Sequence, residues 1–319
     1  MTNMVTNALP LIVLSQAGMT LYPLLIKLVK SNLETQTAIR FITYTILAVL
    51  GSLVFGNTNI DNFFPYTATE YIGCGMINIM HVVMSYVCFH LLPSGIGYTL
   101  FYTYPIFNVI GRKLFYNETI YAENIFYIGI AFLGVYILTQ SSKSLSLSHN
   151  FYKLNENEKE SFLGIEIDSS IIPWLGIGAG LLSSLTETSM YLLVKDAPKA
   201  TTAFHQITRF YLFGGILAVV FMGYSLLKSP EKENIDILTI KWNSILEIAL
   251  FNALIGFVGY TIVFYVVPRS DTIQFNTYIF LGIIFSYIWG YVLNGETIPT
   301  QNLLGLLLIL FAIFMVNRN

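Results

Sequence analysis

Glu187 stands where a carboxylate is expensive. It lies well inside the apolar stretch Ile171–Val194, and a charged side chain at the centre of a bilayer costs at least about 2.5–3.5 kcal/mol on insertion scales. Counting by four, Ser183, Glu187, Tyr191 and Lys195 fall on one helical face, a polar stripe able to line a cavity. Two chemistries suit such a carboxyl group: exchanging a proton during transport, or pairing with a nearby Lys or His to lock helices together. The first apolar stretch carries a matching stripe of Gln16, Thr20, Pro23 and Lys27. Pro23 has no N–H and frees a carbonyl in the preceding turn, the kind of break found at transport sites. Lys27 and Lys195 could hold an anionic solute; their plainer role is to snorkel to the headgroups.

In the third stretch Asn78, His81 and Ser85 share a face. His81 could relay protons or serve as a hydrogen-bonded packing residue. His90, nine residues on, lies about half a turn around the helix, so the pair cannot chelate one metal; no metal or cofactor is expected. Arg40 and Arg209 open the second and seventh stretches, as interface anchors or facing a central anion; His205 sits one turn before Arg209. Tyr98, Thr99, Tyr102 and Thr103, with Gln274 and Asn276, add hydroxyl and amide groups to the fourth and ninth stretches. The candidate substrate and coupling residues are therefore Glu187, Tyr191, Lys195, Lys27, Thr20, Asn78, His81, Thr103, Arg209, Gln274 and Asn276. Glu118 and Glu296 read as structural, since each precedes a helix that Thr119 or Thr297 can cap.

These side chains need a scaffold, and the composition says which. Of 319 residues 55% are hydrophobic and 11% charged, against about 25% charged in a soluble domain. Such a chain cannot clothe itself for water, and the bilayer is its natural solvent. A soluble enzyme, a disordered tail and a secreted disulfide scaffold are excluded. A net charge of −2 carries no nucleic-acid footprint. Cys74 and Cys88, 14 residues apart, would lie about 21 Å apart along a helix, too far for a disulfide, and read as packing thiols. The first 26 residues hold no Lys or Arg, so no cleaved leader is expected.

Ten apolar segments follow: Ala8–Val29, Phe41–Gly56, Tyr71–Leu92, Gly95–Gly111, Asn124–Gln140, Ile171–Val194, Ala203–Leu227, Ile245–Val267, Thr272–Leu293 and Asn302–Val316. Backbone hydrogen bonds in lipid must close within each segment, so the segments are helices; the second, fourth, fifth and tenth are short for a span. Ser141–Ser170 and Lys228–Asn243 read as solvated connections. The expected fold is an all-α membrane protein of ten transmembrane helices: a five-helix repeat over 1–140, a polar linker over 141–170 and a second repeat over 171–319.

The halves carry the same markers in the same order. Lys27, Arg40-Phe41, Pro93 and Glu118-Thr119-Ile120 are matched by Lys195, Arg209-Phe210, Pro268 and Glu296-Thr297-Ile298, at offsets of 168, 169, 175 and 178 residues. Five spans is an odd number, so the second copy enters from the opposite side: inverted repeats, an architecture of secondary transporters with the site between the halves. Positive charge does not orient the chain, the short connections of the two sides holding seven and six basic residues.

The stretch LLPSGIGYTLFYTYPIFNVIGRKLFYNETI, from Leu91 to Ile120, together with Gly129 and Gly134 after it and Pro268, Glu296 and Gly305 in the second half, resembles the drug/metabolite transporter superfamily, in particular its EamA-type ten-span carriers. The second copy lacks an equivalent of Pro105, and the opening span lacks the tryptophan often seen there. The resemblance implies carriage of a small metabolite or drug-like solute by alternating access, by exchange or with protons. A nucleotide-sugar or organic-phosphate antiporter, motivated by Lys27 and Lys195, and a non-transporting receptor or assembly protein are the alternatives. An intramembrane enzyme is not expected, because no His-x-x-x-His, Gly-x-Ser-x-Gly or paired intramembrane aspartates occur. The expected partners are a small-molecule solute and the lipid bilayer, with a homodimer left open and nucleic acid excluded.

Overall fold

A computed structural model of the protein describes residues 2–28, 33–55, 64–117, 122–148, 160–162, 165–167, 171–195, 202–228, 242–267, 281–296 and 300–318, a few of them (Pro23, Lys27, Pro105 and Lys195 among them) by backbone alone. The first half runs α1 (Thr2–Met19), α2 (Tyr22–Leu28), α3 (Leu33–Phe55), α4 (Ala68–Leu91), α5 (Ser94–Phe101), α6 (Tyr104–Tyr116) and α7 (Ala122–Ser148). The second runs α8 (Ile172–Lys195), α9 (Ala203–Lys228), α10 (Trp242–Phe251), a π-helical segment (Asn252–Phe257), α11 (Val258–Val266), α12 (Leu281–Asn294) and α13 (Thr300–Arg318). Between the halves, β1 (Glu160–Phe162) and β2 (Ile165–Ile167) form an antiparallel hairpin, Glu160 opposite Ile167. Part of the linker is thus regular structure: α7 runs on to Ser148, and β1 pairs with β2.

Among the described residues, α3, α4, α8, α9 and the run Ile245–Val266 are long and apolar enough to cross a membrane, and Pro10–Ile26, Ile125–Gly134, Leu281–Leu293 and Leu303–Ala312 are shorter apolar stretches. The polarity is inside-out. Val54, Phe55, Phe115, Val220, Leu254 and Tyr291 are exposed, whereas Gln16, Asn78, His81, Ser183, Ser184 and Asn252 are fully enclosed. An apolar exterior of this extent suits lipid.

The second span is not short. Its helix begins at Leu33, so Arg40 lies seven residues inside α3 and is 3% exposed, instead of marking the helix entrance. Glu34 in the first turn favours that earlier start through the helix dipole. The fifth and tenth segments likewise extend to the lengths of α7 and α13. By contrast, the first and fourth segments are each broken in two, at Thr20-Leu21 and Tyr102-Thr103, two residues before Pro23 and Pro105.

The two halves interlock. The most extensive packing joins α3 to α9, α4 to α8 and α7 to α13. When α1–α2 is matched with α8, α3 with α9, α4 with α10–α11, α5–α6 with α12 and α7 with α13, the packing maps onto itself. The contacts α3/α9, α5/α12 and α7/α13 each return to themselves, α4/α8 becomes α1/α11, and α4/α9 becomes α3/α10. Small residues allow the closest of these contacts. A Cβ on Gly134 would come 2.7 Å from the Gly305 carbonyl oxygen, and one on Gly75 2.6 Å from the Cβ of Phe213. Hydrogen bonds sew the same seams: Thr45 Oγ1 donates to the Tyr211 carbonyl at 2.9 Å and Asn78 Nδ2 to the Phe210 carbonyl at 3.1 Å.

Candidate functional site

The buried polar side chains converge where α3, α4, α8 and α11 meet behind the broken first span. Glu187, 5% exposed, points from α8 toward α4, where its Oε2 lies 3.3 Å from His81 Nε2. That contact is close enough for an ion pair but not aligned as a hydrogen bond, and Oε2 has no hydrogen-bond partner. One turn along α8, the Tyr191 hydroxyl hydrogen-bonds the same carboxyl group. His81 is held on both nitrogens: Nδ1 lies 3.3 Å from the Ser183 carbonyl and Nε2 3.2 Å from the Tyr260 hydroxyl of α11. The ring therefore links both halves. Glu187, Met190, Tyr191, Val194, Phe264 and Val267 line a small cavity beside it.

On the other side of Tyr260 is Arg40. Its guanidinium carbon lies 4.8 Å from the ring centroid of Tyr22, 5.3 Å from Tyr44, 5.4 Å from Tyr260 and 5.5 Å from Tyr86. Nη2 donates to the Tyr211 hydroxyl at 3.1 Å, the guanidinium also hydrogen-bonds the Tyr86 hydroxyl, and Nε is buried with no acceptor. Among the described residues no carboxylate lies within ion-pair distance of it. Arginine stays charged in a protein, so this is a permanent cation held by aromatic faces, each contact contributing about 2 kcal/mol when desolvated.

Three interrupted helices shape this region. At the first break Pro23 offers no N–H to the Met19 carbonyl, and the Tyr98 hydroxyl donates to that carbonyl instead. Trp289 Nε1 donates to the Ala17 carbonyl at 3.0 Å, Thr20 Oγ1 bonds back to the Gln16 carbonyl at 2.9 Å, and the Tyr102 hydroxyl donates to Gln16 Oε1. At the second break Thr103 Oγ1 meets Ser184 Oγ at 3.0 Å, and Thr188 Oγ1 donates to the Tyr104 carbonyl at 3.0 Å. The third interruption is the π-helical segment, a form common at functional sites. Its Asn252 Nδ2 donates to the Ile248 carbonyl, leaving Oδ1 to accept the Tyr22 hydroxyl proton at 2.7 Å. Tyr22 has one proton to give, so at the 2.7 Å Tyr22–Tyr44 contact the Tyr44 hydroxyl is the donor. Gly256 makes room for this pair, since a Cβ there would strike both hydroxyls.

Residues 174–318, from α8 through α13, match the EamA-like transporter family. The matched stretch, an EamA-like transporter domain, takes up less than half of the chain. It is similar to the "Uncharacterized transporter sll1319" of Synechocystis sp., at 31% identity over 68 residues; the match spans 21% of each chain. A solved structure titled only "Crystal structure of protein" shares the fold over 97% of this chain and 96% of its own, with a TM-score of 0.58 at 13% identity. The protein is a multi-pass integral membrane protein, five of its described helices being long and apolar enough to cross a membrane, and over residues 174–318 it is similar to a transporter family.

The candidate residues sort unevenly. Glu187, Tyr191 and His81 come together, and Thr103 joins the adjoining Ser184. Asn78 uses its Nδ2 on the α4–α9 seam while its Oδ1 is buried without a donor, and Thr20 bonds back to its own helix. Arg209 is engaged elsewhere: its Nη2 donates to Glu70 Oε1 at 3.1 Å, and its guanidinium stacks 4.3 Å from the Tyr66 ring centroid. Glu70 is fixed by a capping box with Thr67 at the start of α4. It lies eleven residues before His81, about 16 Å along the helix, so Arg209 belongs to the periphery. Lys27 and Lys195 sit on helices but their side chains lie outside the described residues, as do Gln274 and Asn276 altogether. Cys74 and Cys88 are buried thiols outside any disulfide. Glu296 accepts from Ser94 N at 2.8 Å and Ser94 Oγ at 2.9 Å, capping α5 of the opposite half; Glu118 lies outside the described residues.

The sequence reading missed the tyrosine group around Arg40. One signal for it was present: Tyr44 follows Arg40 by four residues on the same helix. Tyr22, Tyr86, Tyr211 and Tyr260 arrive from four other elements, and nothing in local spacing separates them from the rest of the 21 tyrosines.

Proposed function

We propose that this protein is a secondary transporter of two inverted five-span repeats, 1–140 and 171–319, that carries a small solute by alternating access with Glu187 and His81 as its proton-coupling pair. The observation that carries the reading is the buried 3.3 Å contact between His81 on α4 and Glu187 on α8, one residue from each half. Rocking of one half against the other changes the surroundings of both groups at once, so protonation and access are linked through the same pair. Tyr191 and Tyr260 hold the carboxyl and the imidazole in place. The self-mapping of the helix contacts supports the two-repeat architecture, and the odd number of spans per half supports its inversion. The broken first and fourth spans support a site at mid-depth, where discontinuous helices expose backbone to a solute.

The test uses proteoliposomes loaded with a pH-sensitive dye and challenged with a panel of small carboxylates, amines and sugars. Solute addition should move protons in vesicles carrying the wild type. Glu187→Gln, which keeps shape and hydrogen bonding, should abolish proton movement while solute exchange survives. Proton movement of equal rate in Glu187→Gln vesicles refutes the coupling role.

A further inference from the structure

Arg40 is the unexplained feature of the molecule. A buried permanent cation ordinarily has an anion beside it, and this one has tyrosines. The carboxyl group of Glu187 is turned to His81, whose Nε2 also meets the Tyr260 hydroxyl. Arg209, at the matching place in the second half, also has a buried Nε without an acceptor but is ion-paired with Glu70, so the fold can supply a carboxylate to such an arginine, and among the described residues it supplies none to Arg40. The guanidinium has five N–H donors; its hydrogen bonds go to the neutral hydroxyls of Tyr211 and Tyr86, and the Nε donor has no acceptor.

From this we infer that Arg40 is the receptor for a carboxylate group on the solute, and that the tyrosine rings around it form the wall of that subsite. A guanidinium edge with Nε free is the fork that takes a carboxylate through two parallel hydrogen bonds. Tyr22, Tyr44, Tyr86 and Tyr260 bracket the cation and present ring faces to whatever is attached to the carboxylate. The site takes a monoanion in preference to a phosphate. The single charge of a guanidinium matches a monoanion, whereas a phosphate monoester carries about −1.5 to −2 at neutral pH. Tyr260 then touches both groups, its hydroxyl bonded to His81 and its ring set against Arg40. Loading the cation and loading the proton site are thereby connected through one side chain.

The inference rests on the transporter reading but is tested by binding alone. Thermal unfolding of the detergent-purified wild type is followed with benzoate, phenylacetate, benzamide, phenyl phosphate and benzylamine. The carboxylates should raise the unfolding temperature by a few degrees, saturably, with no shift from the amide or the amine and a smaller one from the phosphate. Arg40→Lys, which keeps the charge and loses the fork, should weaken carboxylate binding at least about tenfold. Tyr211→Phe, which removes the acceptor on Nη2 while keeping the ring, should leave carboxylate binding as tight or tighter. Equal shifts from benzamide and benzoate, a larger shift from phenyl phosphate, or no shift from any carboxylate in the wild type each overturn the assignment. A carboxylate that binds but does not cross vesicles refutes the transport reading and leaves the subsite standing.

Discussion

The break in the first span makes a quantitative claim about one hydroxyl group. Pro23 removes the N–H that would serve the Met19 carbonyl, and the Tyr98 hydroxyl serves it from α5. Tyr98 also stacks on Phe89 and Tyr102, with ring centroids 5.0 and 5.5 Å away, and phenylalanine keeps both stacks. Tyr98→Phe therefore deletes a hydroxyl and strands a carbonyl away from water. An unsatisfied buried acceptor costs about 1–3 kcal/mol, whereas hydrogen bonds measured between membrane helices average only about 0.6 and reach about 1.7 kcal/mol. The membrane figure governs here because the unfolded reference also lies in lipid or detergent, and it sets the expected loss near 1 kcal/mol.

The decisive measurement is a double-mutant cycle with Pro23→Ala. The substitution restores an N–H four residues after Met19, the spacing of a helical bond, so the carbonyl gains a local donor and the Tyr98 hydroxyl becomes redundant. Unfolding in mixed detergent should show Tyr98→Phe costing about 1 kcal/mol in the wild-type background and near zero in the Pro23→Ala background, a coupling well outside the error of additive mutations. Equal costs in the two backgrounds refute the account of the break.

Other substitutions test the surrounding site. Gly256→Ala should destabilise the protein by about 1–3 kcal/mol through overpacking, because the new methyl strikes the paired hydroxyls of Tyr22 and Tyr44; Tyr44→Phe in the same chain should restore part of the loss, read by thermal unfolding. Glu296→Ala should cost about 1 kcal/mol, typical of a lost N-cap, and Ser94→Ala added to it should cost little more, since both remove one interaction. Glu70→Gln should change stability by less than about 1 kcal/mol, its side chain being 41% exposed, and should leave vesicle transport unchanged. Loss of transport in that variant would return Arg209 to the solute path.

What the sequence disclosed depended on whether a signal was local. Helix faces were readable: Asn78, His81 and Ser85 are all buried together, as are Ser183 and Glu187, because a period of 3.6 needs no partner to be seen. The breaks near Pro23 and Pro105 were legible for the same reason. Helix ends were less so, since apolar runs stop before helices do; α3 begins at Leu33, two turns ahead of the run at Phe41, and that difference moved Arg40 from a boundary to the interior. Partner choice was not legible at all. Glu70 with Arg209 and Glu296 with Ser94 join residues 139 and 202 positions apart, and no spacing rule connects them.

The comparison of Arg40 with Arg209 carries this further. Duplication hands both halves the same arginine at the same register, 169 residues apart, and the contact pattern keeps their helices α3 and α9 packed on each other. A scaffold requirement common to both halves would be met alike on both sides. It is not: among the described residues one arginine has a carboxylate fixed by a capping box, and the other has aromatic faces and neutral hydroxyls. Symmetry belongs to the scaffold, where glycine pairs such as Gly134 with Gly305 close the halves together. Departure from symmetry concentrates at Arg40, at Glu187 and at the π-helical segment, which adds a turn form that α4, its counterpart, lacks. Strain and unpaired charge persist only where surrounding structure holds them and function uses them. Arg40, without a counter-ion among the described residues, is accordingly the asymmetry on which the proposed carboxylate subsite rests.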